Sequence, residues 1–203
     1  CFPEMCLTGY GNAVLSQADL SEHVAGDLNI LRDRCVTLRV GAIVGHAWRE
    51  GYSLLNRATV ILPNGERLHY DKVHLTEQEQ KYFQRGKSPL CFTRGDLKAG
   101  VMICRDENDP LLARALSESG AETIFILAAH YYPPKTARWK VDKNRALPIA
   151  RAVENRAHVL LSNTVGTHLG LTSLGNSLIA DPDGCVVALA GEAEETLLVV
   201  DVR

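Results

Sequence analysis

Three residues of this chain pair reactive chemistry with the end of an extended run: Glu4 after Phe2-Pro3, Lys72 toward the end of the stretch 67–73, and Cys104 after Val101-Met102-Ile103. A thiol that attacks an electrophilic carbon needs a base, because a free thiol with a pKa of about 8.5 is only a few per cent ionised at neutral pH. A carboxylate can take that proton. An ammonium group can stabilise both the thiolate and the oxyanion of a tetrahedral intermediate, together with a backbone N–H after the cysteine. Singly, each residue has a plainer reading: a solvated loop carboxylate, an exposed strand-end lysine, a cysteine buried as a small apolar group. The recurrence of one pattern joins them. In an α/β protein the carboxyl ends of strands gather along one edge of the sheet, where sites are built.

The elements that must position these groups follow from pattern. Residues 16–34 read as a helix with Ser16 as its cap and Leu20, Val24, Leu28 and Leu31 at helical spacing. Cys35–Val44 reads as a strand closing at Gly45, and residues 52–62 and 67–73 as a hairpin turned by Asn64-Gly65. Residues 76–83 form a short polar helix or turn bearing Glu77 and Glu79, and 90–93 with 97–103 a strand pair. Asp109-Pro110 caps and opens a helix over 110–119, which leaves Cys104 at a strand-to-helix corner, a setting that favours the thiolate. Thr123–Ala128 is a strand buried on both faces, ending in the loop His130-Tyr131-Tyr132. Residues 136–156 are helical, with a kink or break expected at Pro148. A strand over 157–162, a polar loop over 166–173 and strands over 174–180, 185–189 and 196–202 complete the chain. The alternation predicts a layered α/β architecture in one domain, residues 1–203.

Composition excludes several classes. A net charge of −2 gives no basic surface for nucleic acid or a membrane, and no apolar run approaches a membrane span. The six cysteines form no CxxC pair, as expected for reduced thiols in a cytoplasmic protein rather than for a disulfide framework or a zinc site. The chain opens on Cys1 as if on the end of a strand, which suggests that a preceding piece is missing.

The segments Phe2-Pro3-Glu4 with Gly9-Tyr10, Tyr70-Asp71-Lys72-Val73-His74-Leu75 and Ile103-Cys104-Arg105-Asp106 resemble the three signature motifs of the nitrilase superfamily, the carbon–nitrogen hydrolases. Arg151–Arg156, Ser162-Asn163 and Ser177–Gly184 resemble later segments of that family in the same order. The resemblance implies a four-layer α-β-β-α sandwich, N-terminally incomplete here because members begin with a strand, a helix and a second strand before Phe-Pro-Glu. It implies no metal or organic cofactor, a small amide-type substrate and a homo-dimer or larger homo-oligomer. By this carry-over Cys104 is the nucleophile, Glu4 the general base and Lys72 the oxyanion partner, with Glu79, rather than Glu77, as the second glutamate. His130, Tyr131 and Arg105 then belong to the substrate pocket. Arg105 departs from the family, which has an aromatic residue there, and would favour acidic substrates; Asn108-Asp109-Pro110-Leu111 departs as well.

The resemblance thus points to hydrolysis of a non-peptide C–N bond of a small amide or carbamoyl compound through a cysteine thioester. The alternatives are a nitrile- or glutamine-hydrolysing member, a Cys–His hydrolase using Cys104 with His130, or a non-catalytic fragment or interaction protein that keeps the fold.

Overall fold

Leu20, Val24 and Leu28 recur at every fourth position, and in the structure they form the buried stripe of helix α2 (Leu20–Leu38), which follows the one-turn helix α1 (Asn12–Leu15). The computed structural model describes residues 1–202, and these fall into two compact units, one over Cys1–Ser88 and one from Pro89 onward, each with its own core.

In the first unit, strands β1 (Ala42–Glu50), β2 (Ser53–Ile61) and β3 (Arg67–Asp71) make an antiparallel sheet in that order. The stripe of α2 packs with Val44 and Ile61 in the core. The turn between β2 and β3 is built on Asn64-Gly65, with Gly65 at φ +87°, a conformation that glycine adopts freely. The outer edge of β1 is not left bare. Phe2 N–H donates to Ile43 O, Leu7 N–H to Gly45 O, and the N–H groups of Ala47 and Arg49 donate to the hydroxyls of Thr8 and Ser21.

Several expectations are corrected here. Ser16 ends α1 rather than capping α2, whose N-cap position is Asp19. The helix continues through Cys35 to Leu38, and β1 starts at Ala42 and runs past Gly45. The β-branched Val36 and Thr37 suggest a strand, but the buried stripe continues to Cys35, and tertiary packing outweighs local propensity.

In the second unit, β4 (Leu90–Arg94), β5 (Leu97–Ile103), β6 (Thr123–Ala128), β7 (His158–Asn163), β10 (Leu178–Ala180) and β11 (Val186–Leu189) form one sheet of order β11-β10-β7-β6-β5-β4. Only β5, β6 and β7 run parallel to their neighbours within that trio, and Val101, Met102, Ile103, Ile124, Ile126 and Leu127 are wholly buried. Such strands, covered on both faces, read as continuous apolar runs. Helix α3 (Pro110–Glu118) opens on Asp109, whose Oδ1 accepts the Leu111 N–H at 2.9 Å. Helix α4 (Pro134–Asn155) continues through Pro148, which is buried within it, so the expected break does not occur.

Residues 166–173 are not a loop. Strands β8 (Val165–His168) and β9 (Leu171–Leu174) pair as a ribbon turned by Leu169 and Gly170, both at positive φ. The strand expected over 174–180 is confined to β10, after Gly175 and Asn176, also at positive φ. Residues 196–202 form no strand; Leu197 and Val199 are exposed. Alternation there signals β propensity, but a strand exists only when its backbone is paired.

Candidate active site

Lys72 is the centre of the first unit's polar cluster. It directly follows β3, its N–H donates to Asn56 O, and its own carbonyl accepts from Gly86 N–H at 2.8 Å. That approach requires glycine, since a Cβ at Gly86 would lie 1.9 Å from Asp71 O. With 1% of its surface exposed, Lys72 places Nζ 2.6 Å from Glu4 Oε1 and 2.7 and 3.0 Å from the two oxygens of Glu79. Asn56, a lone amide in the buried run of β2, donates from Nδ2 to Glu4 Oε1 at 2.8 Å and to Glu79 Oε1 at 3.0 Å. The Tyr10 hydroxyl donates to Glu79 Oε1 at 3.1 Å.

Glu79 is held twice. Its N–H donates to Thr76 Oγ1, and its carboxylate accepts the Thr76 N–H at 2.8 Å, the reciprocal pattern of a capping box, here at the 3-10 turn Glu79–Lys81. Burial pushes the Glu79 carboxyl up, but the Lys72 charge and the hydrogen bonds from Lys72 and Thr76 outweigh it and hold the pKa below the usual value. Glu77, the alternative second glutamate, is exposed. Two carboxylates share one ammonium group, so with all three ionised the cluster carries one uncompensated negative charge. A proton acceptor beside a cation is what nucleophilic catalysis requires.

Glu4 reaches this cluster because the chain crosses β1 at Gly45. A Cβ there would lie 2.6–2.8 Å from Met5 N, Glu4 Cα and Pro3 O, all backbone atoms that cannot swing aside. Gly45→Ala is therefore expected to cost about 1–3 kcal/mol of stability, read as a lower urea midpoint at unchanged slope. An unchanged midpoint would mean that the Pro3–Met5 segment shifts freely.

The second unit carries Cys104 immediately after β5. It is half-buried, at φ +46°, and opens a 3-10 helix over Cys104–Asn108 that the sequence pattern did not indicate. A non-glycine residue in this region carries backbone strain of order 1–3 kcal/mol, a common feature of functional corners. Asp106, fully buried, braces the corner by accepting the Ile103 N–H at 2.9 Å. Arg105 is exposed. His130, after β6, is buried; its N–H donates to Asn163 Oδ1 and its Nε2 lies 3.0 Å from Glu107 Oε1. The Tyr131 ring leans on His168 at 5.8 Å, and Tyr132 donates its hydroxyl to Asn144 at 3.0 Å. Burial, with the nearby Cys104 and Glu107, pushes the Tyr132 phenol up to about 12.

The structure thus brings Glu4, Lys72 and Glu79 together and adds Asn56, Tyr10 and Thr76. Separately, it sets Cys104 in a turn shared with Glu107, which meets His130. Asn56 had one sequence signal, a polar amide inside an apolar strand; Glu107 had none.

The carbon–nitrogen hydrolase family model matches residues 1–203. A nitrilase of Pyrococcus abyssi is 35% identical over 176 residues, covering 86% of this chain and 62% of that protein, so the chain spans less than two thirds of its length. An (R)-stereoselective amidase of Pseudomonas sp. is 30% identical over 200 residues, covering 95% of this chain and 69% of the relative. Among solved structures, the NitN amidase of Nesterenkonia sp. AN1 superimposes with a TM-score of 0.82 at 25% identity, over 94% of this chain and 74% of that one. The mixed α/β fold and the motifs around Glu4, Lys72 and Cys104 therefore have one source: the chain belongs to the carbon–nitrogen hydrolase family, the nitrilase superfamily.

Proposed function

We propose that the chain carries the machinery of a cysteine-dependent amidase, which hydrolyses a non-peptide C–N bond of a small amide or carbamoyl compound. The observation that carries this reading is the buried Lys72 held at 2.6 and 2.7 Å between Glu4 and Glu79, a costly charge cluster with no need to exist in a merely structural sheet. In the proposed reaction Glu4 takes the proton of Cys104, and the sulfur attacks the amide carbon. The C–S bond forms as the carbonyl electrons move to oxygen, where the Lys72 ammonium stabilises them. Collapse breaks the C–N bond. The proton held on Glu4 passes to the leaving nitrogen, releasing ammonia or an amine and leaving a thioester on Cys104. Glu4 then takes a proton from water, the hydroxide attacks the thioester carbon, the C–S bond breaks, the Glu4 proton returns to the Cys104 sulfur, and a carboxylic acid leaves. Glu79 orients Lys72, and Asn56 orients both carboxylates.

A panel of simple amides, N-carbamoyl compounds and nitriles, each with and without a terminal carboxylate, tests this. Mass spectrometry of quenched reactions should find the acyl group on the peptide containing Cys104, with ammonia or amine released at the same rate as acid. Preference for the carboxylated compounds that falls on Arg105→Ala supports an acidic substrate. Turnover of nitriles alone favours the nitrilase alternative. Acyl groups on no cysteine, with turnover retained, overturn the mechanism.

A further inference from the structure

Glu107 lies three residues after Cys104 in the same 3-10 helix and has no exposed surface. The two residues therefore belong to one short turn, and Glu107 is the one of the pair that the fold buries completely. Its Oε1 is 3.0 Å from His130 Nε2 and 3.8 Å from Lys143 Nζ. Its carbonyl accepts Arg151 Nε–H at 3.0 Å, which fixes the turn to α4. His130 is 4% exposed and is fixed independently through its N–H to Asn163. Neither oxygen of Glu107 and neither ring nitrogen of His130 makes a well-aligned hydrogen bond, although all four atoms are buried. A buried carboxylate without such bonds is costly unless charge or function retains it. The reaction proposed above uses neither residue.

We propose that Glu107 is a positioning residue: through His130 Nε2 it ties the turn bearing Cys104 to the end of β6 and sets the reach of the thiol. The inference rests on the cysteine nucleophile of the proposed function but on none of its substrates. Cys104 follows β5, whose last residue Ile103 pairs in register with Leu127 of β6, so the two ends are neighbours in the sheet. Cys104 holds a positive φ, and such a conformation persists only where its surroundings over-determine it. Asp106 on the Ile103 N–H braces one side of the corner, and Glu107 on His130 braces the other. Glu107 faces Nε2, so it is through that nitrogen rather than Nδ1 that the tie runs.

The atom used gives a sharp test. Glutamine presents its amide near the position of histidine Nε2 and asparagine near that of Nδ1, so the two His130 variants separate the two nitrogens. The readouts are the second-order rate of Cys104 alkylation by iodoacetamide, followed by peptide mass spectrometry, and kcat and KM for whichever amide is turned over. Glu107→Ala and His130→Asn should each slow alkylation and kcat about 10- to 100-fold with KM little changed, since misplacement of a reacting group by about 1 Å has such effects. His130→Gln should recover most of the alkylation rate lost in His130→Asn, and the Glu107→Ala/His130→Asn pair should be no worse than either single variant, as for two residues acting as one unit. Glu107→Gln, nearly isosteric, replaces the alanine variant where that one folds poorly, and should fall between parent and alanine. Equal rates for His130→Asn and His130→Gln, or unaltered alkylation in both Glu107 variants, overturn the proposal, as does a larger loss from Lys143→Ala than from His130→Asn. If alkylation follows the expected order while no amide is hydrolysed, the functional reading fails and this one stands.

Discussion

Lys72→Met is expected to lower stability at neutral pH by about 3–5 kcal/mol, the usual cost of removing one partner from a buried ion pair, and to abolish turnover. Glu4 and Glu79 would keep their burial but lose the cation they share. Since natural domains are stable by only about 5–15 kcal/mol, this is a large fraction of the total. The pH dependence has a definite sign. In the parent chain Glu79 has a folded pKa held below its ordinary 4.5, so its contribution is present above that value and is lost as pH falls through the lower folded one. In the variant the Lys72 charge is gone and burial remains, so the Glu79 carboxyl shifts up instead. Its contribution then reverses, and acid favours the folded variant. Urea titrations of both chains at neutral and mildly acid pH should show the gap closing on acidification. A gap that widens, or none at neutral pH, would mean that charge does not hold this cluster.

Cys104→Ala should remove activity by about 10⁴–10⁶-fold, the scale seen when the nucleophile of a covalent mechanism is deleted. Stability should move by less than about 1 kcal/mol, because the side chain is only half-buried and its loss leaves no large cavity. The contrast separates the two variants: Lys72→Met disturbs fold and chemistry together, Cys104→Ala chemistry alone. Cys104→Ser keeps the shape but offers a much weaker nucleophile, and it should resemble alanine in rate. Residual turnover within tenfold of the parent would place the nucleophile elsewhere among the six cysteines.

What the sequence made legible was local and terminal. The apolar run Val101-Met102-Ile103 put Cys104 at a strand end, and the structure has it directly after β5; Lys72 was read within a strand over 67–73, whereas β3 stops at Asp71 and Lys72 directly follows it. Asn64-Gly65 located a hairpin, because that dipeptide accepts the required backbone. The preference for Glu79 over Glu77 came from resemblance, and burial separates the two. What stayed hidden depended on distant partners. Gly45 read as the end of a strand, whereas its missing Cβ is a passage for the segment bearing Glu4. Asn56 read as part of a hairpin arm, because nothing local tells an amide which carboxylates it will meet. Glu107 carried no sequence signal, and only the fold brings it to His130. The ribbon β8–β9 was polar enough to pass for a loop, since a two-stranded ribbon has little core to declare it.

The bonds along the outer edge of β1 tie the placement of Glu4 to the protection of a strand edge. The residues that flank Glu4, Phe2 on one side and Leu7 and Thr8 on the other, are those that occupy the strand's outward-facing groups. A molecule in which the Glu4 segment has come loose is therefore also one that displays an unpaired strand edge, the template on which chains aggregate. A covered edge and a well-placed carboxylate depend here on one short peptide.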